Sequence, residues 1–246
     1  MLAALLLLLG GVDAVHAAAT VNVPGVQLSI ADGIAGRQQM STAIQVILAL
    51  TVLSLAPAIL VSMTAFIRIV IVLSMLRHAF GMQETPPNTV LVSLALFLTL
   101  FTMLPVLNKV NDDAIQPYLG NKIGIEDAYQ RGAKPLREFM VRQTREQDLA
   151  LMVEISHDTQ PKTIDDIKLI QLIPAFMLNE LRTAFQIGFV VFLPFLLIDL
   201  IVSSVLMSLG MMMVPPVMIA LPLKVLMFVL IDGWNLIVRS LVMSFH

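Results

Sequence analysis

Ser208-Leu209-Gly210-Met211-Met212-Met213-Val214-Pro215-Pro216 separates two long apolar runs, Phe185 to Met207 and Val217 to Val238. Gly210 and the Pro215-Pro216 pair break helices, so this stretch reads as a turn between two apolar helices. Each run carries one ionisable residue near the turn, Asp199 before it and Lys224 after it. Both stand eight positions from it, 207 − 199 = 8 and 224 − 216 = 8. In an antiparallel helical pair they lie at one depth, roughly 12 Å from the turn at about 1.5 Å rise per residue. Met211, Met212 and Met213 occupy the turn itself. Methionine is apolar, unbranched and adaptable, and a ring of such side chains can close softly around an object of variable shape. Ordinary packing at a helix end is the competing reading of the three methionines. Non-helical backbone at membrane depth, tolerated only against protein or a water-filled cavity, favours a pore lining.

Composition places these runs in a membrane protein. Of 246 residues, 58% are hydrophobic and 13% charged, with a mean hydropathy of +0.89. A soluble domain is nearer half apolar and a quarter charged. Net charge is −2 and no basic, aromatic-interleaved patch is present, so nucleic-acid binding has no support. The absence of cysteine removes disulfides, thiolate metal sites and cysteine nucleophiles.

Residues 1–19 resemble a cleaved signal peptide, with an apolar core at Leu5 to Leu9 and small-residue cleavage sites at Val15-His16-Ala17 and Ala17-Ala18-Ala19, but without a basic n-region. Residues 20–42 form a lead-in, irregular through Gln39, with Pro24, Gly25, Gly33 and Gly36. Residues 43–107 hold the first pair of apolar elements. The run Ala43 to Leu76 exceeds one span of ~20 residues; Pro57 is expected to kink it and Arg68 interrupts its second half. Val90 to Leu107 is uncharged and of spanning length.

Residues 108–169 change character. Asn108 to Lys168 hold nine of the fifteen Lys/Arg and eleven of the seventeen Asp/Glu. Apolar residues recur there at helical spacing, as in Leu136, Phe139, Met140 and Leu149, Met152, Val153. A small water-facing helical domain is expected. Pro135 suits a first helical turn, and Thr163 with Asp166 a helix start. Residues 170–246 hold the second pair, with the turn at 208–216 and the first part interrupted by Pro174, Asn179-Glu180 and Arg182. A cleaved leader and four crossings would put the helical domain outside and both short turns, Arg77 to Asn88 and Ser208 to Pro216, in the cytoplasm.

Ionisable residues inside apolar runs are expected to do something there. They are Arg68, Asp199, Lys224 and Asp232. A structural ion pair fixing helix register is preferred to a proton path, since buried charges survive by pairing. Asp199 and Lys224 form the best pair; Arg68 and Asp232 have no obvious partner. Catalysis and metal binding find no footing. His16, His78, His157 and His246 are scattered, no phosphate loop is present, and Asp112-Asp113 and Asp165-Asp166 are neighbours that diverge on a helix. No cofactor is expected.

At Pro174-Ala-Phe-Met-Leu-Asn-Glu-Leu-Arg-Thr-Ala-Phe-Gln-Ile-Gly-Phe189 the sequence closely resembles the FliP family of the flagellar type III export apparatus, whose SctR-like relatives serve injectisomes. Leu53 to Leu60, Arg68 to Arg77, Pro86-Pro87-Asn88, Leu94 to Thr99, Asp199-Leu200 and Ser208 to Pro216 carry the same resemblance. Pro174, Asn179, Glu180 and Arg182 are its motif positions. The resemblance implies an all-α membrane protein whose kinked apolar helix pairs form part of a helical export-gate cone, largely lifted from the bilayer plane, with a small helical periplasmic insertion. It implies a non-enzymatic, pore-forming subunit in the bacterial inner membrane, at the flagellar basal body. The subunit forms a homo-oligomer, a pentamer, with FliQ and FliR, neighbours FlhB and FlhA, and passes unfolded flagellar subunits. Met211 to Met213 then correspond to a gasket at the conduit. Residue patterns alone leave two other readings open. One is a small-solute or ion transporter using Asp199, Lys224 and Arg68; the other is a structural scaffold of the gate.

Overall fold

In a computed structural model of the chain, the described residues are 21–23, 26–28, 34–82, 85–156, 166–211 and 213–245. The signal-like leader, Thr163 and Met212 lie outside them. The chain divides into two units, 1–55 and 56–246.

In the first unit two parts of the expected lead-in take regular structure. Strands β1 (Val21–Val23) and β2 (Val26–Leu28) pair antiparallel, with Val21 opposite Leu28 and Val23 opposite Val26. Alternating apolar residues flank Pro24-Gly25, a turn-forming pair, which favours a hairpin. Helix α1 starts at Ile34, inside the expected lead-in, and extends to Met63.

The second unit is helical, and its bends fall at positions other than those expected. Pro57 lies inside α1 without ending it. The break comes at Thr64-Ala65, where Leu53–Met63 and α2 (Phe66–Ala79) meet at 70°. The Thr64 hydroxyl donates to the Leu60 carbonyl and accepts the Phe66 N–H. A side chain that satisfies both backbone groups at a break lets the helix end there. Helix α2 closes with Arg77 and His78 in its last turn, where cations complement the helix dipole. Arg77 also donates to Asn88 across the short turn that follows.

Helix α3 (Asn88–Val110) passes through a π-helical turn at Asn111–Ile115 into α4 (Gln116–Leu119). The resulting 32-residue helix extends well beyond the apolar run that ends at Leu107. Helices α5 (Ile125–Gln143) and α6 (Glu146–Ile155) complete the polar segment. Pro135 sits within α5, not in its first turn. Phe139 and Met140, a turn later, are buried, and Phe139 meets Phe176 edge-on at 5.8 Å. That packing outweighs the one hydrogen bond the proline omits.

Helix α7 (Leu169–Ser208) is the longest element, 40 residues and roughly 60 Å. It starts where the Gln171 side chain accepts the Lys168 N–H. The expected interruptions at Pro174, Asn179-Glu180 and Arg182 do not occur, because the polar residues there find partners on other helices. Helices α8 (Pro216–Leu230) and α9 (Gly233–Met243) meet at 65°. The run Val217 to Val238 is therefore two helices rather than one. By length and apolarity, Asn88–Leu119 and Leu169–Ser208 can each cross a membrane, and each bent pair can make one more span. The chain is an all-α membrane protein carrying one small hairpin.

The core forms where α2 lies against α7 and α3. Ile69, Val72 and Leu73 of α2, Leu172, Phe176 and Ala184 of α7, and Leu91 and Ala95 of α3 are buried together. Helix α2 packs tightly on α7 at Gly188, where an added Cβ would stand 2.2 Å from the Met75 sulfur. Phe80, Phe195 and Phe228 pack edge-on or tilted at 5.0, 5.0 and 6.2 Å and tie the end of α2 to α7 and α8.

Candidate functional site

The methionine turn is built by its neighbours. Helix α7 ends in a left-handed glycine, Gly210 at φ +73°. The Gly210 N–H bonds the Met207 carbonyl and the Met211 N–H bonds the Leu206 carbonyl, both at 3.0 Å. These are the paired bonds of a Schellman cap, which needs a residue free to take positive φ. No atom lies within 4 Å of where a Gly210 Cβ would be, so the backbone conformation alone demands glycine here. Pro216 opens α8 as its first residue, with Pro215 before it in an extended conformation. A proline suits that position because its missing N–H has no helical partner there. Between cap and start, Met213 stands 97% exposed and Met211 44% exposed. Met207, Leu209, Val217 and Met218 are exposed beside them. The turn is thus a rigidly framed apolar tip. Val217 lies 3.8 Å from a Cβ built at Gly81, so the tip shares one end of the helical bundle with the 80–88 turn.

Beneath the tip, the Lys224 ammonium is 2.7 Å from Asp199 Oδ2 and donates to the Ala79 carbonyl at 2.9 Å. It joins α8 to α7 and to the C-terminal end of α2, whose carbonyls favour a cation. Burial is unequal: the Lys224 side chain is 4% exposed and that of Asp199 39%. Asp199 Oδ1 is enclosed and has no hydrogen-bond partner. The pairing fixes the register of α8 on α7 just below the turn. Asp199→Ala leaves the buried Lys224 ammonium with the Ala79 carbonyl alone, and Lys224→Ala removes the hydrogen bond that Asp199 accepts, so each single change is expected to destabilise the chain. Breaking a buried pair costs about 3–5 kcal/mol, less here because Asp199 is part-exposed. Thermal melting of the purified chain tests both variants. Wild-type melting of either would contradict the pairing. The double exchange Asp199→Lys with Lys224→Asp should recover only part, because the Ala79 carbonyl loses its donor.

A second polar centre lies deeper in the bundle, and Arg68 is its hub. Arg68 Nε donates to Glu180 Oε2 at 2.8 Å, with Nη2 on Glu180 Oε1. Nη1 donates to the Ser244 carbonyl and hydroxyl at 2.8 and 3.0 Å, and Nη2 to Gln143 Oε1 at 3.2 Å. The guanidinium also sits 3.8 Å above the Phe245 ring. Gln143 donates to the Phe245 carbonyl at 3.0 Å, and Asn179 donates to the Gln143 carbonyl. The network binds α2, α5, α7 and the segment after α9. Of the motif positions, Asn179 and Glu180 belong to it. Arg182 instead pairs with the buried Asp148 of α6 at 3.2 Å, and Pro174 is half-buried in α7.

Asp232 differs from expectation. It is exposed, not a buried charge. It adopts φ 50° and ψ 53° at the α8–α9 break and accepts a hydrogen bond from Asn235 at 3.1 Å. Aspartate tolerates the left-handed conformation better than an apolar residue, which accounts for its place in an otherwise apolar run. Glu180, Gln143, Ser244 and Phe245 were not tied to Arg68 by sequence. Only a charge-balance signal, one arginine and one glutamate each inside apolar sequence, could have linked the first of them.

The family model of the FliP family matches residues 49–241. The flagellar biosynthetic protein FliP of Bacillus subtilis (strain 168) is 52% identical over 208 residues, 85% of this chain and 94% of its own. That of Pectobacterium carotovorum is 53% identical over 211 residues, 86% and 82% of the two chains. That of Borreliella burgdorferi is 43% identical over 213 residues, 85% and 84%. The matched span runs from within α1 to within α9 and holds the methionine turn, the Asp199–Lys224 pair and the Arg68–Glu180 pair, and on that extent the chain belongs to the FliP family.

Proposed function

We propose that this chain is a core pore-forming subunit of the flagellar type III export gate, with the 208–216 turns of several copies meeting around a central conduit. The exposed, rigidly framed methionine tip is the observation that carries this reading. A concentrated apolar surface of this kind marks a contact with something else. In a closed ring of identical copies it would meet its own equivalents around the axis. Methionines there can yield to an unfolded chain of any sequence and re-close behind it. FliQ and FliR complete the cone, FlhA and FlhB adjoin it, and unfolded flagellar subunits pass through it across the inner membrane. Energy for transport comes from elsewhere in the apparatus, and the chain itself is not an enzyme.

Shared placement of the 80–88 turn and the methionine tip at one end supports a common, cytoplasmic side for both, with the 108–169 domain in the periplasm. The transporter reading loses ground on distance. Arg68 and Glu180 form one closed pair and Asp199 and Lys224 another. Along α7 the two are 199 − 180 = 19 residues apart, roughly 28 Å. They do not converge on one solute site. Native mass of the chain in mild detergent, alone and co-expressed with FliQ and FliR, tests the assembly. A discrete homo-oligomer, a pentamer, that takes up both partners is expected; a monomer indifferent to them would overturn the proposal.

A further inference from the structure

On the flank of α7, away from the methionine tip, lies an apolar slot of about 410 Å³. Val190 and Pro194 of α7, Phe228 of α8 and Ile237 of α9 form its walls. Its two polar lining residues are Gln186 and Ser240. The Gln186 side-chain Oε1 accepts from Arg145 Nη2 at 3.5 Å, so the Gln186 end faces the polar domain. Arg145 is exposed and makes no ion pair among the described residues. The slot therefore grades from a cationic, hydrogen-bonding mouth to a dry aromatic floor.

Its length is informative. From Gln186 to Phe195 is nine residues of helix, roughly 14 Å at about 1.5 Å each. That is about one leaflet of a ~30 Å hydrocarbon core. The bend between α8 and α9 keeps the slot open, with the Phe228 ring occupying the place a Cβ on Gly233 would take, 2.3 Å away.

We propose that this slot holds one acyl chain of an anionic phospholipid, with the headgroup phosphate at Arg145 and its polar ester region at Gln186 and Ser240. Charge at the mouth and a one-leaflet depth set it apart from the featureless apolar faces around it. A second protein helix would leave Arg145 without an anion. The site is independent of the gate reading, because it needs one copy of the chain and no conduit.

The test is native mass spectrometry of the full chain in nanodiscs of phosphatidylglycerol and phosphatidylethanolamine, with analysis of the lipid that stays bound. Wild type should retain one phosphatidylglycerol per copy. Ile237→Trp, which fills the slot, should lose it. Arg145→Glu changes only an exposed rim residue and should keep the fold while reducing preference for phosphatidylglycerol by about tenfold, the size expected when a basic contact near a membrane surface is reversed. Retention of no phospholipid, equal retention by both variants, or crosslinking of Val190→Cys to a second copy in the otherwise cysteine-free chain would overturn the proposal.

Discussion

A Glu180→Ala chain is expected to reach the membrane at a small fraction of the wild-type level and to melt well below it. Arg68 and Glu180 are 2% and 0% exposed, so neither charge has water to fall back on. Removing the carboxylate leaves a guanidinium held by the neutral Ser244 and Gln143 oxygens and the Phe245 ring. Stranding one member of such a pair costs about 3–5 kcal/mol, against a typical total stability of about 5–15 kcal/mol. The loss spreads beyond the pair, because Arg68 also fixes the segment after α9 against α2. Arg68→Lys should fail nearly as badly. An ammonium cannot fork between Glu180, Ser244 and Gln143 or stack as a plane on Phe245. Arg68→Met combined with Glu180→Leu should recover a large part of the loss, since an apolar pair of similar size removes both desolvation penalties. Membrane abundance and fluorescence-detected melting check all three variants. Normal abundance and melting of Glu180→Ala would contradict the hub role of Arg68.

Replacing Met211, Met212 and Met213 together by alanine should make the assembled gate leak ions while leaving the single chain folded. The Met213 side chain is 97% exposed and that of Met211 44% exposed, so both touch little within the chain. Their loss costs the monomer little and costs the seal most of its bulk. Each buried methionine is worth about 1.5–3 kcal/mol of apolar contact. A shift of about 1.4 kcal/mol between closed and open already raises leakage tenfold, so an increase of at least about tenfold is expected. Replacement of the same three by leucine separates bulk from pliancy. The leucine gate should stay tight but export slowly, because branched side chains re-pack less readily around varied substrates. Proteoliposome conductance and export of a reporter substrate measure the two effects. Unchanged leakage in the alanine variant would remove the seal and favour a scaffold.

Much of the tip was legible before the fold. Gly210 and Pro215-Pro216 act locally, through φ and a missing N–H, and local chemistry can be read along a chain. Equal spacing likewise placed Asp199 and Lys224 at one depth, and they meet at 2.7 Å. The Arg68 hub was not legible, because Glu180 is 112 positions away and no local rule connects them. Helix ends misled in both directions. Pro57 and Pro174 lie inside continuous helices, while Thr64, with no helix-breaking reputation, supplies the hydrogen bonds that allow a 70° bend. Packing and hydrogen-bond closure decided those positions over intrinsic propensity. Asp232 shows the same limit. Hydropathy averaged over a run cannot tell a buried charge from an exposed one at a break.

The central claim, that the methionine tip faces passing substrate, can be tested directly because the chain has no cysteine of its own. A Met213→Cys chain, assembled with FliQ and FliR and engaged by an arrested export substrate bearing a single cysteine, should form a disulfide with that substrate when a copper–phenanthroline oxidant is added. A Met243→Cys control, at the far end of α9, should not. A disulfide that depends on substrate engagement would place the tip in the export path. No crosslink at position 213, or an equal one at 243, would contradict the account.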